Sequence, residues 1–346
     1  MAIQLDCFVA PLLAMTGKNQ FLKSPVLWPL AGIALLLVIN LVLKPGFLHL
    51  AMLDGHLYGL PVDVLNRGAK TVILALGMTL IIATGGVDLS VGSVVAITGA
   101  LAAAVIGRGV ESLALILLAA FAAGGLAGLT NGVLVARLGL QPIVATLLLM
   151  VAGRGVAQVL NDGQVLIIKH AGFNFLGNGF VLGLPFTIVC AVLLYLAAHF
   201  ALRRTAAGLF IEAVGDNPSA ARFAGLATTR IKILVYVASG LCAALAGVME
   251  AANIGAADAQ RAGENLELDA IFAVVVGGTA LNGGRFSLAG SFAGALLLQM
   301  LVTTMYNLGV PPAVAPVPKA LLILIVCLMQ SERTRRWFHS LVPMKA

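Results

Sequence analysis

The chain has 346 residues, 60% of them hydrophobic and only 10% charged, with a mean hydropathy of +1.05. A soluble domain carries about 25% charged residues, so this composition excludes a water-soluble globular protein. It makes the bilayer the solvent, where only helices and closed barrels satisfy their own backbone. The net charge of +7 fits Lys and Arg in cytoplasmic loops better than a nucleic-acid surface.

Residues 1–25 place Lys18 and Lys23 late, and no small-residue cleavage site follows the next apolar run. A short cytoplasmic segment is expected rather than a secretory signal. Residues 26–331 read as one all-α transmembrane domain, because long unbroken apolar runs replace the alternation of barrel strands. Val26 to Leu43 is the first span, stopped by Lys44-Pro45-Gly46. The run from Thr71 to Gly107 would be about 55 Å long as one helix, which suits two crossings divided at Gly85-Gly86. Further spans are expected over 112–135, 143–160, 182–202, 232–251, 266–281, 287–306 and 315–330, about ten in all. The eighth carries Asp269. The tenth carries Lys319, expected to snorkel to the interface. Residues 332–346 form a basic tail. An even span count, with Lys and Arg densest around 203–232 and in the tail, puts both termini in the cytoplasm.

Within the divided run, "TGGVDLSVGS" sets Asp88 among glycines and serines. Two roles stay open for its carboxylate. It caps the next helix, as Ser90 also can, or it faces a wet pathway, the default expectation for an ionisable group in a membrane. Gly85-Gly86-x-x-Leu89-x-x-Gly92 has the same spacing as Gly277-Gly278-x-x-Leu281-x-x-Gly284, with Asn282 two residues before the last glycine. The repeat predicts two hinges in broken helices of related halves. Asn131 is a helix-bonding or pathway residue, and Arg154 a snorkelling or paired one. Glu250, Asn253, Asp258, Arg261, Glu264, Glu267 and Asp269 are expected around the outer mouth, as loop solvation or a docking rim.

The segment 203–232 spends about thirty residues where helix connections take about 2–8. Its second half predicts a short helix, with Asp216 or Asn217 as N-cap, Pro218 in the first turn, Ala220, Ala221 and Arg222 continuing, and Gly225 as stop. An idle interfacial helix or a docking surface for a cytoplasmic partner both fit. Cys7, Cys190, Cys242 and Cys327 stand singly, and no HExxH, P-loop or nucleophile motif occurs. No metal site, no catalytic residue and no nucleotide cofactor is expected in this chain.

"EAVGDNPSAARFAGL", residues 212–226, resembles the cytoplasmic coupling loop of the ribose-type permeases of bacterial ABC importers. "ALGMTLIIATGGVDLSVGSVVAITGA", "NGVLVARLGLQPIVATLLLMVAGRGVAQ" and "ENLELDAIFAVVVGGTALNGGRFSLAGSFAGALL" match further family segments in the same order. Within the family the chain is most similar to the galactofuranose type, "GGRF" at 283–286 being one such feature; many relatives have glycine at Phe286.

The resemblance implies a monosaccharide importer of the bacterial inner membrane, with galactofuranose as the subgroup's sugar and ribose, xylose and galactose still open. It implies a separate ATPase subunit carrying the ATP and Mg, an extracytoplasmic sugar-binding protein, and a second permease, identical or related. Glu212, Gly215, Asp216, Asn217, Ala220, Ala221, Arg222 and Gly225 would then contact the ATPase. Gly85, Gly86, Asp88, Ser90, Gly92, Asn131, Gly277, Gly278, Asn282 and Gly284 would form the pathway and its hinges. An ion-coupled carrier, with Asp88 and Asp269 as its intramembrane carboxylates, and a non-transporting scaffold are the alternatives.

Overall fold

A computed structural model describes residues 26–311, 314 and 316–330. The predicted N-terminal segment 1–25 and basic tail 332–346 lie outside these residues, as does Cys7.

A helix lies over each of the ten predicted segments. Helix α1, Leu27–Leu43, ends at Lys44 as the Pro45-Gly46 pair requires. Its one buried polar residue, Asn40, donates to the Leu36 carbonyl and to Thr304 Oγ1, at 2.8 and 2.6 Å. Strands β1 (Ala51–Leu53) and β2 (His56–Tyr58) then form a hairpin. Its Asp54-Gly55 turn has φ of 51° and 76°, the paired positive values of a two-residue hairpin turn.

Helix α2, Leu60–Ala83, starts well before the expected Thr71 and takes in Asp63, Arg67 and Lys70. Pro61 in its first turn sets that start. The charges are tolerated because Arg67 and Lys70 reach a polar cavity instead of lipid. Helices α3 (Val91–Gly107), α4 (Leu113–Ala136) and α5 (Pro142–Leu160) follow.

The next connection holds β3 (Leu166–Ile167), α6 (Ala171–Asn178), and a hairpin of β4 (Phe180–Val181) with β5 (Leu184–Pro185). It leads into α7, Phe186–Arg204. The small strands depart from an all-helical expectation, but they lie outside the long helices.

Two short helices, α8 (Ala206–Asp216) and α9 (Pro218–Phe223), precede α10, Thr228–Ile254. Strand β6, Ala256–Ala257, pairs with β3. Then come α11 (Leu266–Val276), α12 (Leu288–Asn307) and α13 (Pro316–Gln330).

Among the described residues, six helices are long and apolar enough to cross a membrane: α2, α4, α5, α7, α10 and α12. Helices α1 and α3 are apolar but shorter, at 17 residues each. The protein is a helical, polytopic membrane protein.

Its core is built around α10, which packs on α2, α3 and α4. Contact with α4 is close because Gly124, Gly128 and Gly132 recur every fourth residue and share one face. A methyl group on Gly128 would stand 2.9 Å from the Val237 Cα. The buried face of α2 supplies the largest share of the central apolar cluster, with Val72, Ile73, Leu74, Met78 and Ile82 among its residues.

Candidate functional site: a backbone junction and a polar cavity

Helix α2 and helix α11 end in the same way. Gly85, at φ 75°, donates to the Ile82 carbonyl, and Gly86 donates to that of Ile81, at 2.9 and 3.0 Å. Gly278, at φ 86°, donates to Val275, and Thr279 to Val274, at 2.9 and 3.2 Å. Each is the paired closure in which a left-handed glycine stops a helix.

Gly85 therefore corresponds to Gly278, one residue out of register with the GGxxLxxG match. Gly277 is still in the helical region, at φ −66°. The last glycines of the two motifs also differ. Gly92 lies inside α3, where a side chain would strike the Gly263 carbonyl and the Glu267 carboxylate. Gly284 lies in the loop, at φ 90°.

The two breaks meet. The Gly284 N–H donates to the Ala83 carbonyl, the last of α2, at 2.9 Å. A methyl on Gly283 would stand 2.9 Å from the Gly85 nitrogen and 2.8 Å from the Gly215 carbonyl oxygen. Gly215 belongs to the last turn of α8, and its own methyl would collide with the Ala83 carbonyl and stand 2.5 Å from the Gly284 nitrogen. Three chain segments, far apart in sequence, thus touch through bare backbone. Asn282 brings only its carbonyl toward Gly85, and its side chain is exposed.

Past Gly215, Asn217 caps α9, accepting from Ser219 N and Ala220 N at 3.1 and 2.9 Å. Asp216, the other expected cap, closes α8. Gly225, at φ 86°, follows the end of α9. Ala221 is buried and Glu212 half-buried, while Ala220 and Arg222 are exposed. Phe223 is 93% exposed. Sequence reasoning missed α8 and did not single out Phe223, whose exposure appears only in the fold.

Asp88 is buried between the end of α2 and the start of α3. Its Oδ1 accepts from the Ser90 N–H at 2.8 Å, the Ser90 hydroxyl at 2.6 Å and Asn131 Nδ2 at 3.4 Å. Asn131 Nδ2 also donates to Ser90 Oγ at 2.8 Å. Asp88 thus holds the entry to α3, whereas Ser90 makes no capping bond with its own side chain. The Tyr236 hydroxyl is buried without a partner and lies beside Gly86, 2.8 Å from where a methyl there would be.

The charged residues expected around one mouth do several different things. Asp258 accepts from Gln260 N and Arg261 N, closing a turn. Arg154 donates to the Ala262 carbonyl. Glu267 Oε2 is buried without a hydrogen bond. Asn253 donates to the Gly177 carbonyl and to Asn178 Oδ1, both at 3.2 Å.

Glu250 and Asp269 turn inward and take lysines. Lys70 Nζ is 3.8 Å from Glu250. Lys319 Nζ bonds both Asp269 oxygens, at 2.8 and 2.7 Å. Lys319 therefore does not snorkel. It neutralises the other charge that made α11 and α13 poor apolar segments. Between α2, α7, α10, α11, α12 and α13, Lys70, Asp269 and Lys319 wall a cavity of about 210 Å³, which Asn66, Arg67, Gln299 and Tyr306 also line. Among the described residues no group of His, Cys, Asp and Glu could hold a metal ion.

Residues 60–327 match the family described as branched-chain amino acid transport system / permease component. The galactofuranose transporter permease protein YtfT of Escherichia coli K12 is 49% identical, over 92% of this chain and 93% of its own. The fructose import permease protein FruF of Bifidobacterium longum is 39% identical, over 92% and 91%. The ribose import permease protein RbsC of Escherichia coli K12 is 37% identical, over 92% and 98%. No solved structure matches the chain.

Proposed function

The chain belongs to the branched-chain amino acid transport system / permease component family, and from that premise we propose that it is the membrane subunit of an ABC importer for a monosaccharide. Relatives named as galactofuranose, fructose and ribose permeases support the sugar class. As a permease it is a transport subunit and not an enzyme. ATP and Mg belong to a separate ATPase. A sugar-binding protein on the outer side and a second permease, identical or related, complete the assembly in the bacterial inner membrane. All ten apolar helices cross, both termini are cytoplasmic, and α8 and α9 face the ATPase.

The observation that carries this reading is the junction of Gly215 with Ala83 and Gly284. A push on α9, whose free face carries Arg222 and Phe223, passes through Asn217 into α8. From α8 it reaches both helix breaks with no flexible side chain between. Coupling of this kind needs a rigid element with two arrangements, and the broken ends of α2 and α11 are where such a change is least costly. Asp88 and Asn131 hold the start of α3 while the end of α2 moves. A proton-coupled carrier is not favoured, because Asp88 is tied to Ser90 and Asp269 to Lys319.

Arg222→Glu tests this. The variant should insert at the parental level yet lose ATP-driven uptake, and an ATPase subunit that co-purifies with the parent in mild detergent should be depleted. Parental uptake by Arg222→Glu would contradict the docking role of α9.

A further inference from the structure

The cavity between α2, α7, α10, α11, α12 and α13 has two kinds of wall. One kind is already engaged: Lys70 faces Glu250 at 3.8 Å, Lys319 bonds Asp269, and the Thr187 hydroxyl donates to Asn66. The other kind is free. Among the described residues the Arg67 guanidinium, the Gln299 amide and the Tyr306 hydroxyl line the cavity and make no side-chain hydrogen bond or ion pair. Together they offer N–H and O–H donors, an amide acceptor and one aromatic face. That is the chemistry of a hydroxyl-rich ring, which needs many modest hydrogen bonds and a flat apolar contact.

An ion fits less well. The one carboxylate in its lining, Asp269, already bonds Lys319, and Arg67, which is exposed, stands at the mouth where water screens its charge. The cavity also opens away from the junction. Its lining comes from the first halves of α2, α11 and α13, the start of α7 and the second halves of α10 and α12, away from α8 and α9.

We propose that this cavity is the first site of the transported monosaccharide inside the membrane domain, with hydroxyls on Gln299 and Arg67 and the ring against Tyr306. The proposal rests on the reading of the chain as a sugar permease. The site takes a neutral sugar as it leaves the binding protein, before the breaks at the far end open.

The test uses the complete transporter, with its ATPase and binding protein, in proteoliposomes. Uptake of labelled galactose, ribose, fructose and arabinose is measured beside ATP hydrolysis for the parent, Gln299→Leu, Gln299→Asn and Tyr306→Phe. Gln299→Leu keeps the side chain's bulk, and its kcat/KM for uptake should fall by about ten-fold or more. ATP hydrolysis stimulated by the binding protein should stay within about two-fold, since the junction is untouched. Gln299→Asn should keep part of the uptake.

Parental uptake kinetics in all three variants would overturn the cavity site and leave the permease reading standing. Equal losses of uptake and hydrolysis in every variant would reduce these residues to packing and also overturn the site. A parent that imports neither these four sugars nor galactofuranose or xylose would instead overturn the sugar-permease reading itself.

Discussion

The junction and the cavity lie at opposite ends of the same helices, α2 and α11, and are built from opposite materials. At the junction Ala83, Gly85, Gly215, Gly283 and Gly284 meet backbone to backbone, so a methyl added at Gly215 or Gly283 has nowhere to go. At the cavity the backbones stand apart and side chains make the structure, with the Lys319–Asp269 pair crossing the gap. Bare backbone transmits displacement, because it has no rotamers to absorb it. Paired charges and free donors hold a polar solute, because they remain adjustable. One pair of helices thus carries a stiff end and an adaptable end.

Substitutions sharpen that contrast, beginning with the largest expected effect. Lys319→Met leaves the mostly buried Asp269 carboxylate without its partner, which should cost about 3 kcal/mol. The double variant Asp269→Asn/Lys319→Met should regain most of it. Thermal unfolding in detergent measures both, and additive losses would deny the pair its role.

Gly283→Ala should cost about 2–3 kcal/mol, because its left-handed φ and the nearby Gly215 carbonyl both oppose a methyl. Ser90→Ala removes a hydroxyl donor from the Asp88 carboxylate and an acceptor from Asn131. It should cost about 1–2 kcal/mol in the same assay. Gly225→Ala should cost only about 1 kcal/mol, from φ alone, since nothing lies within 4 Å of its added methyl. If Gly225→Ala proved as damaging as Gly283→Ala, crowding would not be what distinguishes the junction.

The sequence made the two ends legible to different degrees, for physical reasons. Glycine pairs inside apolar runs announced both breaks, because an apolar helix has few other causes to stop. Asn217, Pro218 and Gly225 announced α9 through capping chemistry that is local in sequence. The register of the two breaks was misread by one residue because GGxxLxxG records glycines, while helix closure depends on which glycine takes positive φ. Thr84 fills the capping position that Gly277 fills in the second copy.

Helix α8 was missed because Gly208 and Gly215 lower helix propensity, and their purpose appears only when Leu202 and Ala83 are beside them. The cavity was hidden more deeply. Asp269 and Lys319 stand 50 positions apart, and each alone only weakens a predicted span. Arg67 and Lys70 were left outside α2 for the same reason. A charge that costs energy by itself becomes structure once its partner is in place.

The most direct measurement is sugar uptake per ATP hydrolysed by Gly215→Ala in reconstituted transporter. The added methyl wedges α8 away from Ala83 and Gly284 and leaves the exposed face of α9 unchanged. The account predicts that the ATPase still binds and hydrolyses ATP while the uptake ratio falls at least about ten-fold. A parental ratio in Gly215→Ala, with the variant inserted and assembled normally, would contradict the claim that motion passes through this junction.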